Sequence, residues 1–219
     1  RGMDRKLMDD VIAGYRRSAA NCAMAGFDIL TIHAGHGWLL AEFLSPLSNH
    51  RQDEYGGSRE NRCRFVIEVL QAVRQAAPKC LIEVRISGSE LTKGGYDLEE
   101  GVELCKMLEP YVDMFNVSAG VMEDLYTWII MHPSMFLPQG CNVYLAEAVK
   151  KAVKKPVSCV GALTDPEKME EILEKGQADL IALGRALVAD PDLPNKVRDG
   201  RVDEIRHCLR CYSCQGQMM

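Results

Sequence analysis

Apolar positions along this chain follow two rhythms that alternate from one end to the other. One has a period near 3.6, which is typical of a helix with one buried face, and the other consists of short β-branched runs, which are typical of buried strands. The helical rhythm predicts helices over residues 7–25, 58–77, 97–109, 142–153 and 164–176. The short runs predict strands over residues 27–32, 80–86, 112–117, 156–160 and 178–183.

Residues that favour helix ends stand at several of these boundaries. Ser58 opens the second helix, and Gly26 and Gly176 stand where C-terminal glycine caps belong. The run Thr164-Asp165-Pro166-Glu167 matches the Ser/Thr-x-x-Glu capping box, with proline in the first turn. A helix is therefore expected to begin at that run.

Three stretches lack a clear helical or strand period. A polar loop rich in charge and glycine is expected between His36 and Ser58. Residues 119–141 contain two prolines and are expected to form an irregular excursion on the active face. Near the end of the chain, Asp190-Pro191 is expected to open a last short helix.

Strands that alternate with helices specify a parallel α/β sheet, either an open doubly wound sheet or a (β/α)8 barrel. A complete barrel takes about 250 residues and eight strands, whereas this chain has 219 residues and five predicted strands. We therefore interpret the chain as a partial TIM barrel of about five parallel βα units. In both sheet types the functional site lies at the carboxyl ends of the strands.

Composition narrows the class of protein and its partners. The hydrophobic share of 47% and the charged share of 26% are ordinary for a soluble globular protein. A net charge of -5 gives no reason to expect a nucleic-acid partner. No apolar run approaches the ~20 residues of a membrane span, and no signal peptide is visible. We therefore expect no membrane partner and a cytoplasmic location.

The nine cysteines are unevenly distributed along the chain. Six are scattered, mostly in apolar stretches where a free cysteine behaves as a small hydrophobe. The other three, Cys208, Cys211 and Cys214, form a tight cluster near the end. This distribution indicates a reducing compartment with one thiolate site. Three thiolates at this spacing can surround an iron–sulfur cluster or a zinc ion.

The candidate chemistry centres on His33 and His36, which are expected just past the end of the first strand. Two imidazoles at a strand end can donate hydrogen bonds to a carbonyl oxygen and stabilise the enolate that develops from it. A structural interpretation, with one buried and one surface histidine, also fits the spacing. A zinc site is a third alternative, although no third ligand is obvious nearby.

Residues 33–65 contain a dense set of fixed spacings, namely His33-x-x-His36-Gly37-Trp38-Leu39-Leu40, Phe43-Leu44-Ser45-Pro46 and Asn49-x-Arg51-x-Asp53-x-Tyr55-Gly56-Gly57-Ser58-x-x-Asn61-Arg62-x-Arg64-Phe65. Later motifs are Val84-Arg85-Ile86-Ser87, Val160-Gly161 and Leu183-Gly184-Arg185. With these motifs, the chain closely resembles the old yellow enzyme family of flavin-dependent reductases, essentially over its whole length. The cysteine cluster is similar to that of the iron–sulfur branch, which includes 2,4-dienoyl-CoA reductase and the bacterial bile-acid ene reductases.

The resemblance implies a domain organisation and a set of cofactors. The five strands would correspond to the family's fourth through eighth strands, so residues 1–206 would be the C-terminal part of an FMN-binding barrel. Residues 207–219 would begin a truncated iron–sulfur segment, and a fragment truncated at both ends is expected. The implied cofactors are FMN, a [4Fe-4S] cluster with an incomplete ligand set here, and NAD(P)H as electron donor.

The resemblance also implies roles for individual side chains. His33 and His36 would polarise an unsaturated carbonyl, and Arg85 would stabilise negative charge on the reduced flavin or, alternatively, form an ion pair inside the barrel. Trp38 stands where many relatives carry a proton-donating tyrosine, but an indole N–H is not a practical general acid. The phosphate site would consist of Gly161, Ala162, Gly184 and Arg185.

The leading hypothesis is a flavin-dependent oxidoreductase that reduces the activated C=C of a small-molecule unsaturated carbonyl or enoyl thioester with NAD(P)H. The chain would be a fragment of this enzyme, and an isolated fragment of this kind is expected to be inactive. One rival is a metal-dependent barrel lyase or aldolase that uses His33 and His36. The other is a non-catalytic half-barrel that binds nothing and dimerises, because its exposed sheet edges would need to pair with another chain.

Overall fold

The computed structural model of the chain describes residues 2–216, so Arg1 and residues 217–219 of the predicted cysteine-rich segment lie outside the described residues. The strands are β1 (Ile29–Ala34), β2 (Leu81–Ser87), β3 (Met114–Ser118), β4 (Val157–Val160) and β5 (Leu180–Ala182). The helices are α1 (Arg5–Met24), α2 (Leu39–Leu44), α3 (Arg59–Ala76), α4 (Leu98–Leu108), α5 (Leu125–Met131), α6 (Val143–Ala152), α7 (Pro166–Glu174), α8 (Arg185–Ala189), α9 (Leu193–Arg198) and α10 (Ser213–Gly216).

The five strands form one parallel sheet in which the order in space is the order along the chain. Helical crossovers connect neighbouring strands, as parallel pairing requires. A doubly wound sheet reverses its strand order at a switch point, and this sheet does not within the described residues. The prediction of parallel βα units is therefore confirmed, and the sheet has the strand order of a barrel wall.

The sheet separates an apolar face from a polar one. Val84 of β2 and Phe115 of β3 are fully buried in the main core, together with Phe65 and Val69 of α3. On the opposite side, Glu83 accepts hydrogen bonds from Thr31 Oγ1 (2.6 Å) and Asn116 Nδ2 (3.4 Å). The helices thus cover one face, while hydrogen-bonded polar side chains form a layer on the other, below the carboxyl ends of the strands.

The end of α1 explains why β1 begins at Ile29 rather than at Phe27. The amide of Gly26 donates to the carbonyl of Ala23, and the amide of Phe27 donates to that of Cys22, both at 3.1 Å. This is the Schellman motif, and it needs the positive φ of 85° that Gly26 supplies. Because the Phe27 amide completes the helix end, the residue is unavailable to the strand ladder.

The predicted capping box at Thr164 is wrong by one residue. Asp165 is the N-cap of α7, and its carboxylate accepts a hydrogen bond from the amide of Glu167 (3.1 Å). The hydroxyl of Thr164 donates instead to the side-chain oxygen of Gln139 (3.2 Å). Pro166 does occupy the first turn, as expected.

Three short helices lie where the sequence pattern predicts loops or no element. α2 lies in the supposed polar loop and buries Leu40, Phe43 and Leu44. α5 lies in the stretch predicted to be irregular, and α8 directly follows β5. The last helix before the cysteine cluster, α9, begins at Leu193 and not at Asp190-Pro191. Helices this short carry too few turns to show a period.

Two further observations concern the whole described chain. All nine cysteines are free. In residues 2–216, none of the helices combines the length and the apolar character that crossing a bilayer requires.

Candidate active site

His33 and His36 lie side by side at the carboxyl end of β1. His33 belongs to the strand, rather than following it as expected, because β1 extends to Ala34. The two ring centroids are 5.0 Å apart, with the ring planes inclined at 55°. Two imidazoles therefore converge on one point of the sheet edge.

Hydrogen bonds from neighbouring strand ends hold the turn that carries His36. Its amide donates to Ser87 Oγ (3.2 Å), which in turn donates to the carbonyl of Gly120 (2.8 Å). The amide of Met122 donates to the carbonyl of His36 (3.2 Å). His36 has a φ of 63°, a left-handed conformation that is uncommon outside glycine. The loops after β1, β2 and β3 are thus joined into one rim.

Burial favours the neutral form of both histidines. Burial, followed by the nearby Arg85, His33 and His132, lowers the pKa of His36 to about 3. Burial and then Arg85 also lower the pKa of His33. A neutral imidazole has one donor and one acceptor nitrogen, and Nε2 of His36 lies 2.7 Å from Ser118 Oγ. If the Ser118 hydroxyl is the donor, Nδ1–H of His36 is left to face a ligand.

The residues predicted to bind the cofactor line a single cavity of about 260 Å³. They come from the carboxyl ends of β2, β4 and β5, which meet at one edge of a parallel sheet. Arg85 pairs in register with His33, so the cavity adjoins the histidine pair. The volume lies just below the range of pockets that enclose whole drug-sized ligands. The five predicted residues within its lining are Arg85, Gly161, Ala162, Gly184 and Arg185.

The backbone of the cavity wall is strained or crowded for a side chain at Gly161 and open at Gly184. Gly161 has a φ of 133°, and a Cβ there would lie 2.9 Å from Asn142 Nδ2. Ala162 follows with a φ of 54°. A Cβ on Gly184 would meet no described atom within 4 Å, so this backbone is open on the ligand side. Bare backbone of this kind lets N–H groups approach phosphate oxygens closely.

The charged residues that line the cavity, among those described, are all cations: Arg85, Arg185 and Arg210. Burial lowers the pKa of Arg85, an effect that Glu83 opposes. Nε of Arg85 and Nη1 of Arg185 are buried and have no hydrogen-bond partner within the described part of the chain. Buried donors without partners are costly, so the cavity suits an anionic ligand rich in acceptor atoms, such as the phosphate and ring edge of FMN.

His132 also lines this cavity, and the sequence analysis did not identify it. It follows directly after α5, in the stretch predicted to be irregular. Burial lowers its pKa, the backbone of Trp128 opposes this shift, and the nearby Arg185 and Arg85 lower the pKa further. No motif or spacing in the sequence connects this histidine to the other candidates.

Trp38 lies outside the cavity. It precedes α2, and its side chain is 55% exposed. The charged motif that follows forms a loop-supporting network, in which Arg51 pairs with Asp53 (2.5 Å) and Arg62 donates to the carbonyl of Leu44 (2.8 Å). These contacts agree with an architectural role for the charged motif between Asn49 and Phe65.

The three clustered cysteines are not assembled as a metal site. Cys208 lines the cavity, and all three line an adjoining groove together with Arg185. However, within residues 2–216 no three His, Cys, Asp or Glu side chains come close enough to hold a metal ion. The donor set for a [4Fe-4S] cluster is therefore not formed here, and the histidine pair likewise has no third metal ligand.

A barrel wall with a cation-lined cavity at its strand ends is typical of cofactor-dependent α/β enzymes. Comparison with known proteins shows to which family of enzymes this chain belongs. The chain belongs to the NADH:flavin oxidoreductase / NADH oxidase family, whose model matches residues 1–204. The resemblance to the old yellow enzymes is thereby confirmed.

Individual relatives are similar over nearly the whole chain. The NADH oxidase of Thermoanaerobacter brockii is 42% identical over 206 residues, which are 93% of this chain and 31% of the relative. The cinnamate reductase of Clostridium sporogenes is 34% identical, with 95% of this chain and 34% of the relative covered. The solved complex of 2-naphthoyl-CoA reductase with 2-naphthoyl-CoA has a TM-score of 0.89 and 30% identity, covering 97% of this chain and 32% of that one.

The chain thus spans about a third of the length of these relatives. Its five parallel strands make up part of a TIM barrel, as the partial-barrel interpretation predicted. The boundary predicted at residue 206, between barrel and cysteine-rich segment, stays a prediction.

Proposed function

We propose that this chain carries the substrate-activating and cofactor-binding edge of an NAD(P)H-dependent FMN ene reductase, which reduces a C=C conjugated to a carbonyl or thioester. The observation that carries the proposal is one continuous sheet edge. The His33–His36 pair adjoins a cavity whose charged lining residues, among those described, are arginines. The relatives named cinnamate reductase and 2-naphthoyl-CoA reductase support an unsaturated acid or thioester as the substrate class.

The cavity residues would hold FMN, which when bound supplies the hydride. Gly161, Ala162 and Gly184 offer backbone N–H groups to the phosphate, and Arg185 adds a cation. Arg85 would stabilise negative charge on the flavin ring, since its buried Nε has no protein partner among the described residues. Electrostatic stabilisation of this kind is strong in a site from which water is excluded.

The histidine pair would act on the substrate carbonyl. Neutral imidazoles donate hydrogen bonds without needing a proton transfer, and they strengthen those bonds as negative charge develops on the oxygen. Ser118, by donating to Nε2 of His36, would leave Nδ1–H of that ring as the donor. Trp38 cannot practically protonate the product, and its exposed ring supports a role in contacting substrate.

Copies of the chain would also associate through apolar side chains that are exposed at the amino ends of three strands. Ile29, Leu81 and Leu180 are 45%, 47% and 43% exposed at the amino ends of their strands. Exposed apolar residues on a sheet favour association with another chain. A homo-oligomer is consistent with this surface.

The test is an anaerobic titration of the purified 219-residue chain with FMN, read by absorbance and followed by gel filtration. We expect flavin absorbance near ~450 nm to co-elute with protein, and Arg85→Ala to abolish the co-elution. The loaded protein should then oxidise NAD(P)H in the presence of a cyclic enone, and the His33→Ala/His36→Ala variant should lose this activity while keeping the flavin.

The outcomes separate binding from chemistry. Protein that stays colourless at saturating FMN would contradict the proposal for this chain. If flavin binds and the histidine substitutions leave enone turnover unchanged, the role assigned to His33 and His36 in activating the substrate carbonyl would be wrong. The elution volume in the same run reports whether copies associate.

A further inference from the structure

His132 occupies a position in the cavity that the reaction proposed above does not use. Its half-buried ring lines the wall together with Arg85 and Arg185. Its Nδ1 is buried and finds no hydrogen-bond partner in the described chain, as is also true of Arg85 Nε and Arg185 Nη1. Three of the residues that line this cavity therefore each leave one buried nitrogen unsatisfied, which is a rare condition unless a ligand satisfies it.

Contacts from behind fix the position of His132. Its ring packs against Trp128 at a centroid distance of 5.1 Å, and Trp128 packs against Tyr212 at 5.5 Å. The hydroxyl of Tyr212 donates a hydrogen bond to the carbonyl of His132. The Arg185 guanidinium lies over the Tyr212 ring, 5.8 Å from its centroid. Tyr212 thus contacts both the support of His132 and a cation of the cavity.

Tyr212 belongs to the cysteine-bearing segment, which is attached to the cavity rim at several points. The ring nitrogen Nδ1 of His207 lies 3.0 Å from the carbonyl of Thr164. Arg210 donates to the carbonyl of Leu137 (2.7 Å) and accepts from the amide of Met135 (3.2 Å) through its own carbonyl. The segment that follows the barrel strands therefore closes one side of the cavity.

We propose that His132 is a cofactor-contacting residue and that Tyr212 is its positioning residue, so that the cysteine-bearing segment contributes directly to flavin affinity. The inference rests on the proposed function, because it assumes that the cavity binds FMN. It extends that function by adding an uncharged hydrogen-bonding ring to a wall whose charged side chains, among the described residues, are arginines.

The affinity test compares two substitutions of His132 in the 219-residue chain. His132→Asn keeps a polar group near the position of Nδ1, whereas His132→Leu keeps similar bulk without one. We expect Leu to weaken FMN binding about tenfold, the loss of one buried hydrogen bond, and Asn to restore most of it. Flavin fluorescence quenching gives the dissociation constants, and thermal unfolding without flavin checks that both variants fold.

The positioning test is a double-mutant cycle. Tyr212→Phe removes only the hydroxyl that bonds to the His132 carbonyl, and we expect it to weaken FMN binding about threefold. In the His132→Leu background the same change should have no further effect, because the group it positions is gone. A merely structural Tyr212 would weaken both backgrounds equally.

The outcomes distinguish this inference from the proposed function. If the unaltered chain does not bind FMN, the proposed function fails and the inference fails with it. If the chain binds FMN and Arg85→Ala weakens binding, but His132→Leu leaves the affinity unchanged, only the contact assigned to His132 is overturned. If His132→Leu weakens binding and Tyr212→Phe adds to it in full, only the positioning by Tyr212 is overturned.

Discussion

The two ends of the sheet differ in whether their buried polar groups have hydrogen-bond partners. At the amino ends, an aspartate just before β3 and another just before β5 satisfy the neighbouring strands. Asp113 accepts from the amide of Ile82 (2.8 Å), and Asp179 accepts from the amide of Val157 (2.9 Å). At the carboxyl ends, nitrogens of Arg85, His132 and Arg185 are buried without a partner among the described residues.

The aspartates at the amino ends are part of a repeated device. Each pairs with a cation in the last turn of the helix that precedes the neighbouring strand, Arg74 of α3 for Asp113 and Lys150 of α6 for Asp179. Each carboxylate thereby joins a helix end to two strands. Burial alone would raise the pKa of Asp113, but the hydrogen bonds from Arg74 and the Ile82 amide lower it below its ordinary value.

The difference teaches how the fold divides its tasks. Satisfied polar groups at the amino ends stabilise the folded chain, whereas unsatisfied ones at the carboxyl ends reduce stability and are available to a ligand. Barrel enzymes commonly separate stability and activity between these two ends. The contrast predicts that equivalent substitutions at opposite ends have opposite consequences.

The largest expected effect comes from replacing Arg85, which is half-buried. Arg85→Ala should weaken FMN binding about 30- to 100-fold, the value of a charge-assisted hydrogen bond. It should leave the free energy of unfolding unchanged or raise it, because it removes a desolvated cation with an unsatisfied nitrogen. Flavin titration and urea unfolding measure the two quantities.

Arg74→Ala at the opposite end is the matched control. It should lower the free energy of unfolding by about 1 kcal/mol, since Arg74 bonds to Asp113 and to the carbonyl of Cys80 (2.8 Å). Its FMN affinity should stay that of the unaltered chain. Equal losses of FMN affinity in Arg85→Ala and Arg74→Ala would contradict the proposal that the carboxyl ends bind the ligand and the amino ends stabilise the fold.

A second effect, of about 2 kcal/mol in unfolding free energy, is expected for Asp113→Ala. The substitution leaves the Ile82 amide without its side-chain acceptor and Arg74 without its carboxylate. Asp179→Ala should act in the same direction through Val157 and Lys150. Urea unfolding at neutral pH measures both, and FMN affinity, which should not change, serves as the internal control.

Much of this architecture follows from sequence patterns, because each βα unit repeats the same local signals. The alternation of periods located all five strands, and Ser58 and Asp97 mark the true starts of α3 and α4. The observed boundaries differ from the predicted ones where a backbone group bonds elsewhere. The Phe27 amide, for example, completes the end of α1 and is not available to β1. Local competition of this kind has no signature in hydrophobicity.

The site residues also fall into predictable and unpredictable ones. His33, His36 and Arg85 stand at strand ends, and the strand positions were predictable from the sequence. His132 was not, because α5 exposes Leu125, Tyr126 and Ile129 and so shows no apolar stripe. Its neighbour Tyr212 lies 80 residues further along the chain. Only the folded chain brings these two residues together.

The smallest expected effect, about 1 kcal/mol, concerns the acid stability that the carboxyl-end histidines impose. The pKa of His36 is lowered from 6.5 in an unfolded chain to about 3, chiefly by burial. Between these values the unfolded state binds a proton that the folded state does not. The free energy of unfolding therefore falls as the pH drops below about 6.5, by at most about 1.4 kcal/mol per pH unit for one such group.

The variant that tests this is His36→Asn, because asparagine tolerates the left-handed φ of 63° at this position. Urea unfolding at about pH 6.5 and about pH 5 brackets a range in which ordinary carboxylates titrate little. Over this range His36→Asn should lose about 1 kcal/mol less stability than the unaltered chain, whatever its stability at neutral pH. Identical losses would mean that the pKa of His36 is the same in the folded and unfolded chains, and the conclusion that burial holds this ring neutral in the site would be wrong.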